Sequence, residues 1–113
     1  MKIIVATLTA VLFSAVLGAQ FAITEATAGT VDGKKGEELF NKHCAMCHPG
    51  GGNIVNPKKT LKQGALESRN IRNAADIVRI MRNPGQGMTK FDEKTIPEAG
   101  AIRIGTYILK TFK

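Results

Sequence analysis

Cys44-Ala45-Met46-Cys47-His48 contains both cysteines of this 113-residue chain, spaced C-x-x-C with a histidine directly behind them. One turn of helix at that spacing presents two thiols to the two vinyl edges of a porphyrin. His48 then lies beneath the ring with a ring nitrogen available to iron. The string reads as a c-type haem attachment site, with one haem c as the expected cofactor. A haem iron held by a proximal histidine takes its chemistry from the group on the other axial side.

Other chemistries use the same spacing. C-x-x-C also serves as a redox disulfide or as half of a zinc site. A thioredoxin-like motif belongs near a βαβ pattern, and nothing in this chain alternates that way. Zinc needs about four ligands. Here Cys44, Cys47, His43 and His48 would have to wrap a tetrahedron within one short turn. A plain structural disulfide in an exported protein is the remaining alternative.

The N-terminus points to export. Lys2 supplies a positive n-region, Ile3 to Ala19 is almost unbroken apolar sequence, and Ala26-Thr27-Ala28 fits a small-x-small cleavage site. Residues 1–28 are therefore expected to be a cleaved signal, with Leu17-Gly18-Ala19 as a second possible cut. The alternative is a retained membrane anchor, since the stretch is near the lower length limit for a spanning helix. No cysteine precedes Cys44, so no lipid anchor on an N-terminal cysteine is expected. Cleavage after Ala28 leaves residues 29–113, one small domain with a thin core of its own. A large flat apolar cofactor supplies the core that such a chain lacks. The expected location is the periplasm, or a thylakoid lumen in a photosynthetic host.

The chain carries a formal charge of +7, and Lys2 and Glu25 cancel within the signal. A small basic exported protein is expected to meet acidic protein surfaces in a salt-sensitive way. The alternative is that the lysines serve only solubility. Nucleic acid is not an expected partner, given export and few aromatic side chains for stacking.

The periodicity predicts an all-α fold. Residues 31–47 read as a helix with Gly36, Leu39, Phe40, Cys44 and Cys47 on one face and Asp32 as its N-cap. Pro49-Gly50-Gly51-Gly52-Asn53 breaks it into a tight loop. Residues 59–67 are weakly helical. Asn73 starts a further helix, with Asp76 as a partial capping box and Ile77, Ile80 and Met81 as its buried stripe. Asn83-Pro84-Gly85 ends it. Pro97 fits the first turn of a last helix, where Ala101, Ile104, Gly105, Ile108 and Phe112 share a face.

Four methionines compete for the axial position opposite His48. Met1 leaves with the signal, and Met46 is tied to the same side of the ring as His48. Met81 lies on a helical apolar stripe, where methionine more often packs. Met88 sits in a glycine-containing loop before Phe91, which packs the loop down, and is the favoured ligand. His43 is expected at the haem edge. Lys90 would first have to lose a proton to coordinate, whereas a thioether does not. Asn53, Leu61, Ile80, Met81 and Phe91 are expected around the cofactor, with Asn53 either donating to it or fastening its own loop.

Several segments together resemble the class I c-type cytochromes, and within them cytochrome c6. They are His48-Pro49-Gly50-Gly51-Gly52-Asn53-Ile54-Val55, Lys59-Thr60-Leu61, Ala65-Leu66-Glu67 and Gly87-Met88-x-x-Phe91. Gly36 and Phe40, with Tyr107, resemble that class's crossing-helix contact. Thr89 and Lys90 depart from the family's Pro-Ala after the methionine. The resemblance implies a cytochrome c fold of three to five helices around one covalent haem. It implies Cys44 and Cys47 as thioethers, His48 and Met88 as axial ligands, and a monomeric electron carrier that is not an enzyme. The implied partners are redox donors and acceptors, such as membrane or multihaem cytochromes, docking near Lys58, Lys59, Lys62 and Lys90. The alternative function is a haem-based ligand sensor or peroxidase-like protein with a dissociable Met88, supported by the missing loop proline.

Overall fold

A computed structural model of the chain describes residues 26–113, with side chains from Asp32 onward. The expected signal lies outside the described residues except for its last three. Among the described residues the elements are α1 (Ala26–His43), a 3-10 turn (Pro49–Gly51), α2 (Gln63–Glu67), α3 (Ala74–Arg82) and α4 (Glu98–Thr111), with no strand. The all-α expectation holds. No helix among them is long and apolar enough to cross a membrane.

Two helix crossings build the frame. A Cβ at Gly36 would lie 2.6 Å from the Arg103 carbonyl and 3.0 Å from the Tyr107 Cβ, so α1 meets α4 backbone to backbone there. Gly105 does the same for α3, where a Cβ would stand 3.0 Å from Ala74 Cα. Around the first crossing, the Phe40 ring lies 5.3 Å from Tyr107 and 5.4 Å from Phe112, tilted in both cases. Tilted aromatic pairs at that range add to what burial alone contributes. Phe40, Ile77, Val78, Met81, Ile96, Ala101, Ile104 and Ile108 form the buried core.

The first helix differs from its expected limits. It begins at Ala26 and stops at His43, where Cys44 N–H and Ala45 N–H both donate to the Phe40 carbonyl. That shared carbonyl widens the last turn, and the attachment motif continues as a turn rather than as regular helix. Asp32 is no N-cap: it lies inside the helix, and its carboxylate accepts from Arg103 Nε at 2.9 Å. The charged partner across the crossing replaces the capping role. The 59–67 helix shortens to Gln63–Glu67, and Pro97 sits at the N-cap of α4 rather than in its first turn. In α3 the stripe is Ile77, Val78 and Met81, with Ile80 half-buried.

The α3 cap follows the expectation closely. Asn73 Oδ1 accepts from Asp76 N–H at 2.9 Å, and Asp76 Oδ2 accepts in return from Arg72 N–H at 3.0 Å. The reciprocal bond lands on Arg72, one residue before the cap, and not on the cap's own N–H as in a full capping box.

Candidate haem site

A cavity of about 380 Å³ opens between the motif turn, the 53–61 loop, α3, the 85–91 loop and α4. Cys44, Cys47 and His48 line it, and so do Met88 and Phe91. Ile77, Ile80, Met81, Ile104 and Ile108 supply apolar lining from α3 and α4. The cavity is the gap that a thin core leaves, and its lining suits a large flat apolar group bearing iron.

The motif turn places its three groups differently. Cys44 is buried and Cys47 exposed, so one thiol lies on the inner side and one toward the rim. Burial, with Cys47 nearby, pushes the Cys44 thiol up to about 11. His48 is buried, and its Nδ1 stands 2.8 Å from the Gly52 carbonyl oxygen. A carbonyl only accepts, so Nδ1 carries the proton and Nε2 keeps a lone pair for a metal. Such a bond on the far nitrogen fixes the tautomer and ring orientation of a metal-ligating histidine.

The glycine-rich loop makes that bond possible. Gly51 N–H donates to the His48 carbonyl and Gly52 N–H to the Pro49 carbonyl, folding the chain back over the imidazole. Gly51 has φ +78°, and a Cβ there would lie 2.5 Å from the Phe112 ring. Only glycine satisfies both the backbone conformation and the contact.

Met46, Met81 and Met88 separate clearly. Met46 is 88% exposed and does not line the cavity. Met81 lines it but is 2% exposed, packed among core residues. Met88 is half-buried on its loop. That loop is pinned beyond Met88 by Phe91 N–H donating to the Met81 carbonyl at 3.0 Å. Gly87, at φ +91°, passes under Val55, where a Cβ would meet Cγ1 at 2.9 Å. Thr89 and Lys90 are exposed.

The remaining expected residues are also in the wall: Asn53, Leu61, Ile80, Phe91 and His43, the last with its ring edge-on to Phe91 at 6.1 Å. Burial and the neighbouring Lys42 lower the His43 pKa. Asn53 fastens its loop: Nδ2 donates to the Lys59 carbonyl, and Oδ1 accepts from Val55 and Asn56 N–H. Its Oδ1 and one Nδ2 hydrogen are thereby committed to backbone. Sequence reasoning missed Arg69, Asn56, Gln86, Leu66 and Ile71 in the lining. Nothing in the spacing of Arg69 distinguishes it from the other arginines; it enters the wall only because the 58–62 loop folds against α2. Among the described residues no cluster of three or more His, Cys, Asp and Glu side chains forms a metal cage, which leaves the zinc reading without ligands.

The family model described as cytochrome c oxidase, cbb3-type, subunit III matches residues 31–108. Cytochrome c6 of Cyanidium caldarium is 36% identical over 74 residues, which is 66% of this chain and 66% of that protein. The c6 of Aphanizomenon flos-aquae is 51% identical over 60 residues, 53% of this chain and 69% of its own. The chain belongs to the class I c-type cytochromes, close to cytochrome c6. Among solved structures, outer membrane cytochrome F (OmcF) of Geobacter sulfurreducens is 49% identical with a TM-score of 0.68, matching 69% of this chain and 99% of its own. The fold is therefore the cytochrome c fold, and the cofactor is one covalent haem c. The cytochrome is a monohaem electron carrier.

Proposed function

We propose that this cytochrome is an exported one-electron carrier working in the periplasm, or in a thylakoid lumen if its host is photosynthetic. Cys44 and Cys47 would hold the haem through thioether bonds, and His48 Nε2 and Met88 Sδ would ligate its iron. The observation that carries the reading is the His48 Nδ1–H bond to Gly52 O at 2.8 Å, which leaves Nε2 free to bind iron inside a two-cysteine turn. Bound there, haem supplies a one-electron couple between ferric and ferrous iron. The chain's own residues do the rest. His48 is held in one tautomer by the glycine loop. The isoleucines of α3 and α4 keep water from the apolar wall, and burial and hydrogen bonding of this kind tune a potential. With His48 and Met88 both given to the iron, the haem would have no position open for a substrate, and no residue is assigned a catalytic role.

Proposed partners are membrane or multihaem redox proteins with acidic faces. Lys58, Lys59, Lys62 and Lys90 are all exposed on the loops that border the cavity, which supports that choice. Met46, Ile54 and Val55 add an exposed apolar rim beside Cys47.

An optical redox titration of the exported holoprotein tests the reading. The expected result is a reversible one-electron wave with the Fe–S(Met) charge-transfer band in the ferric form, lost in Met88→Ala. A wild type without the band, binding carbon monoxide as readily as Met88→Ala does, would replace the carrier with a ligand sensor.

A further inference from the structure

Arg69 is a half-buried cation in the cavity wall. Its guanidinium is held in place by two backbone carbonyls: Nε donates to Ala65 O at 2.8 Å and Nη2 to Thr60 O at 2.7 Å. Three other arginines pair with carboxylates, Arg79 with Asp76, Arg82 with Glu98 and Arg103 with Asp32. Arg69 has no carboxylate partner among the described residues. A cation taken partly out of water without a counterion is costly, and such groups are normally paired.

Polar side chains accompany Arg69 in this stretch of wall, beside the apolar Leu61, Leu66 and Ile71. Lys59 lines it, next in sequence to the Thr60 that Arg69 binds. Asn56 lines it too; its Oδ1 accepts from Lys58 N–H, which leaves the amide NH2 available. The lining from α3 and α4, by contrast, is isoleucine and methionine. A haem has the matching asymmetry, an apolar macrocycle with two carboxylates at one edge.

We propose that Arg69, with Lys59, takes a propionate carboxylate of the haem and is a positioning residue that raises the reduction potential. This rests on the reading that haem fills the cavity. The anion in the wall supplies the missing counterion. Arginine suits the role because its fork matches a carboxylate geometrically. The fixed positive charge disfavours the ferric state and keeps the carboxylate ionised as pH falls. Among the other ionisable side chains in the wall, Cys44, Cys47 and His48 are taken up in holding the haem, which leaves His43. Any slope it contributes is common to wild type and variant.

The test compares wild type, Arg69→Gln and Arg69→Lys holoproteins in covalent haem content and in potential between about pH 5 and 8. All three are expected to retain haem. Arg69→Gln is expected to have a lower potential. Its potential should also fall with pH more steeply than the wild type's, because the propionate now titrates in the range. The limit is a tenfold change in the ferric to ferrous ratio per pH unit, about 59 mV for one electron. Arg69→Lys is expected to recover most of both. A merely structural role in the carbonyl network predicts equal shifts in both variants and no added slope, and that result overturns the proposal. If Arg69→Gln does not accumulate, the redox difference infrared spectrum of the wild type at about pH 5 decides. An ionised propionate supports the assignment, and a protonated carboxyl band refutes it. Wild type lacking covalent haem would instead remove the proposed function itself.

Discussion

Arg82 Nη1 donates to the Phe91 carbonyl at 3.0 Å, tying the end of α3 to the far side of the Met88 loop. Its Nη2 pairs with Glu98 in the first turn of α4 at 3.1 Å. One side chain thus joins α3, the Met88 loop and α4. Phe91 N–H donates to the Met81 carbonyl, so the loop is clamped through both backbone polar groups of one residue. Where family members have a proline to stiffen the residue after the ligand, this chain has Thr89, and the clamp lies two residues later. The Arg82 Nε is buried without a partner. Its position is therefore set by the other two nitrogens.

Removing the clamp is expected to loosen the loop more than to unfold the helices. A bond from a charged donor contributes about 1.5–3 kcal/mol, whereas an exposed ion pair contributes about 0–1 kcal/mol. Arg82→Ala should therefore destabilise the holoprotein by about 2 kcal/mol and Glu98→Gln by less than about 1 kcal/mol in denaturant unfolding. Arg82→Ala should also speed carbon monoxide binding to the ferrous form, while Glu98→Gln leaves it nearly unchanged. Equal effects of the two variants would place the clamp in the ion pair instead.

Gly36→Ala tests the helix crossing. The added carbon would stand 2.6 Å from a backbone oxygen of Arg103, which cannot swing aside as a side chain would. Overpacking of this kind costs about 1–3 kcal/mol. The better helix propensity of alanine returns up to about 1 kcal/mol. A net loss in unfolding free energy is expected. Gly33→Ala on the same helix, where nothing lies within 4 Å, should be neutral or stabilising.

Much of this was legible before the structure. The motif, the α3 cap and the α4 face follow from short-range rules, and short-range rules act on residues adjacent in sequence. The end of α1 did not follow, because Phe40 O takes two donors only once the motif turns into the cavity. Asp32 reads as a cap in sequence and is claimed by Arg103 in space, 71 residues away. Asn53 had two readings, and its three backbone bonds show it fastening the loop. Arg69 was invisible for the same reason as Asp32: its partners at Thr60 and Ala65 meet only when the loop closes.

Two carboxylates that accept from backbone N–H groups, Asp76 in α3 and Asp92 in a turn, set an acid limit. Asp76 is held below its ordinary value chiefly by the Arg72 N–H, and Asp92 chiefly by the Thr95 N–H. A carboxylate depressed in the folded state binds fewer protons there than in the unfolded chain. Its contribution is then complete above its unfolded value of about 4 and disappears as pH falls through the folded value. Thermal midpoints of the holoprotein should therefore level off above about pH 5 and decline below about pH 4. Asp76→Asn and Asp92→Asn should each lie below wild type at pH 7 and approach it near pH 3. A constant gap across that range would mean the bonds survive protonation.

Exposed lysines on the loops near the cavity predict salt-sensitive association. Lys58, Lys59, Lys62 and Lys90 are exposed, and the chain carries +7 overall. Attraction to an acidic partner is screened over about 10 Å at 0.1 M salt. Steering of this type raises association rates by about 10-fold to 1,000-fold at low ionic strength. Electron exchange with an acidic redox partner, followed by stopped flow, should slow by about tenfold or more between low salt and 0.5 M. Lys90→Glu should lower the low-salt rate and flatten that dependence, with the haem potential little changed because Lys90 is exposed. Leu109, half-buried with no place in the cavity wall, gives the contrast. A Lys110→Glu change beside it alters net charge equally, so an equal effect on rate would assign the salt dependence to overall charge and not to the lysines near the cavity.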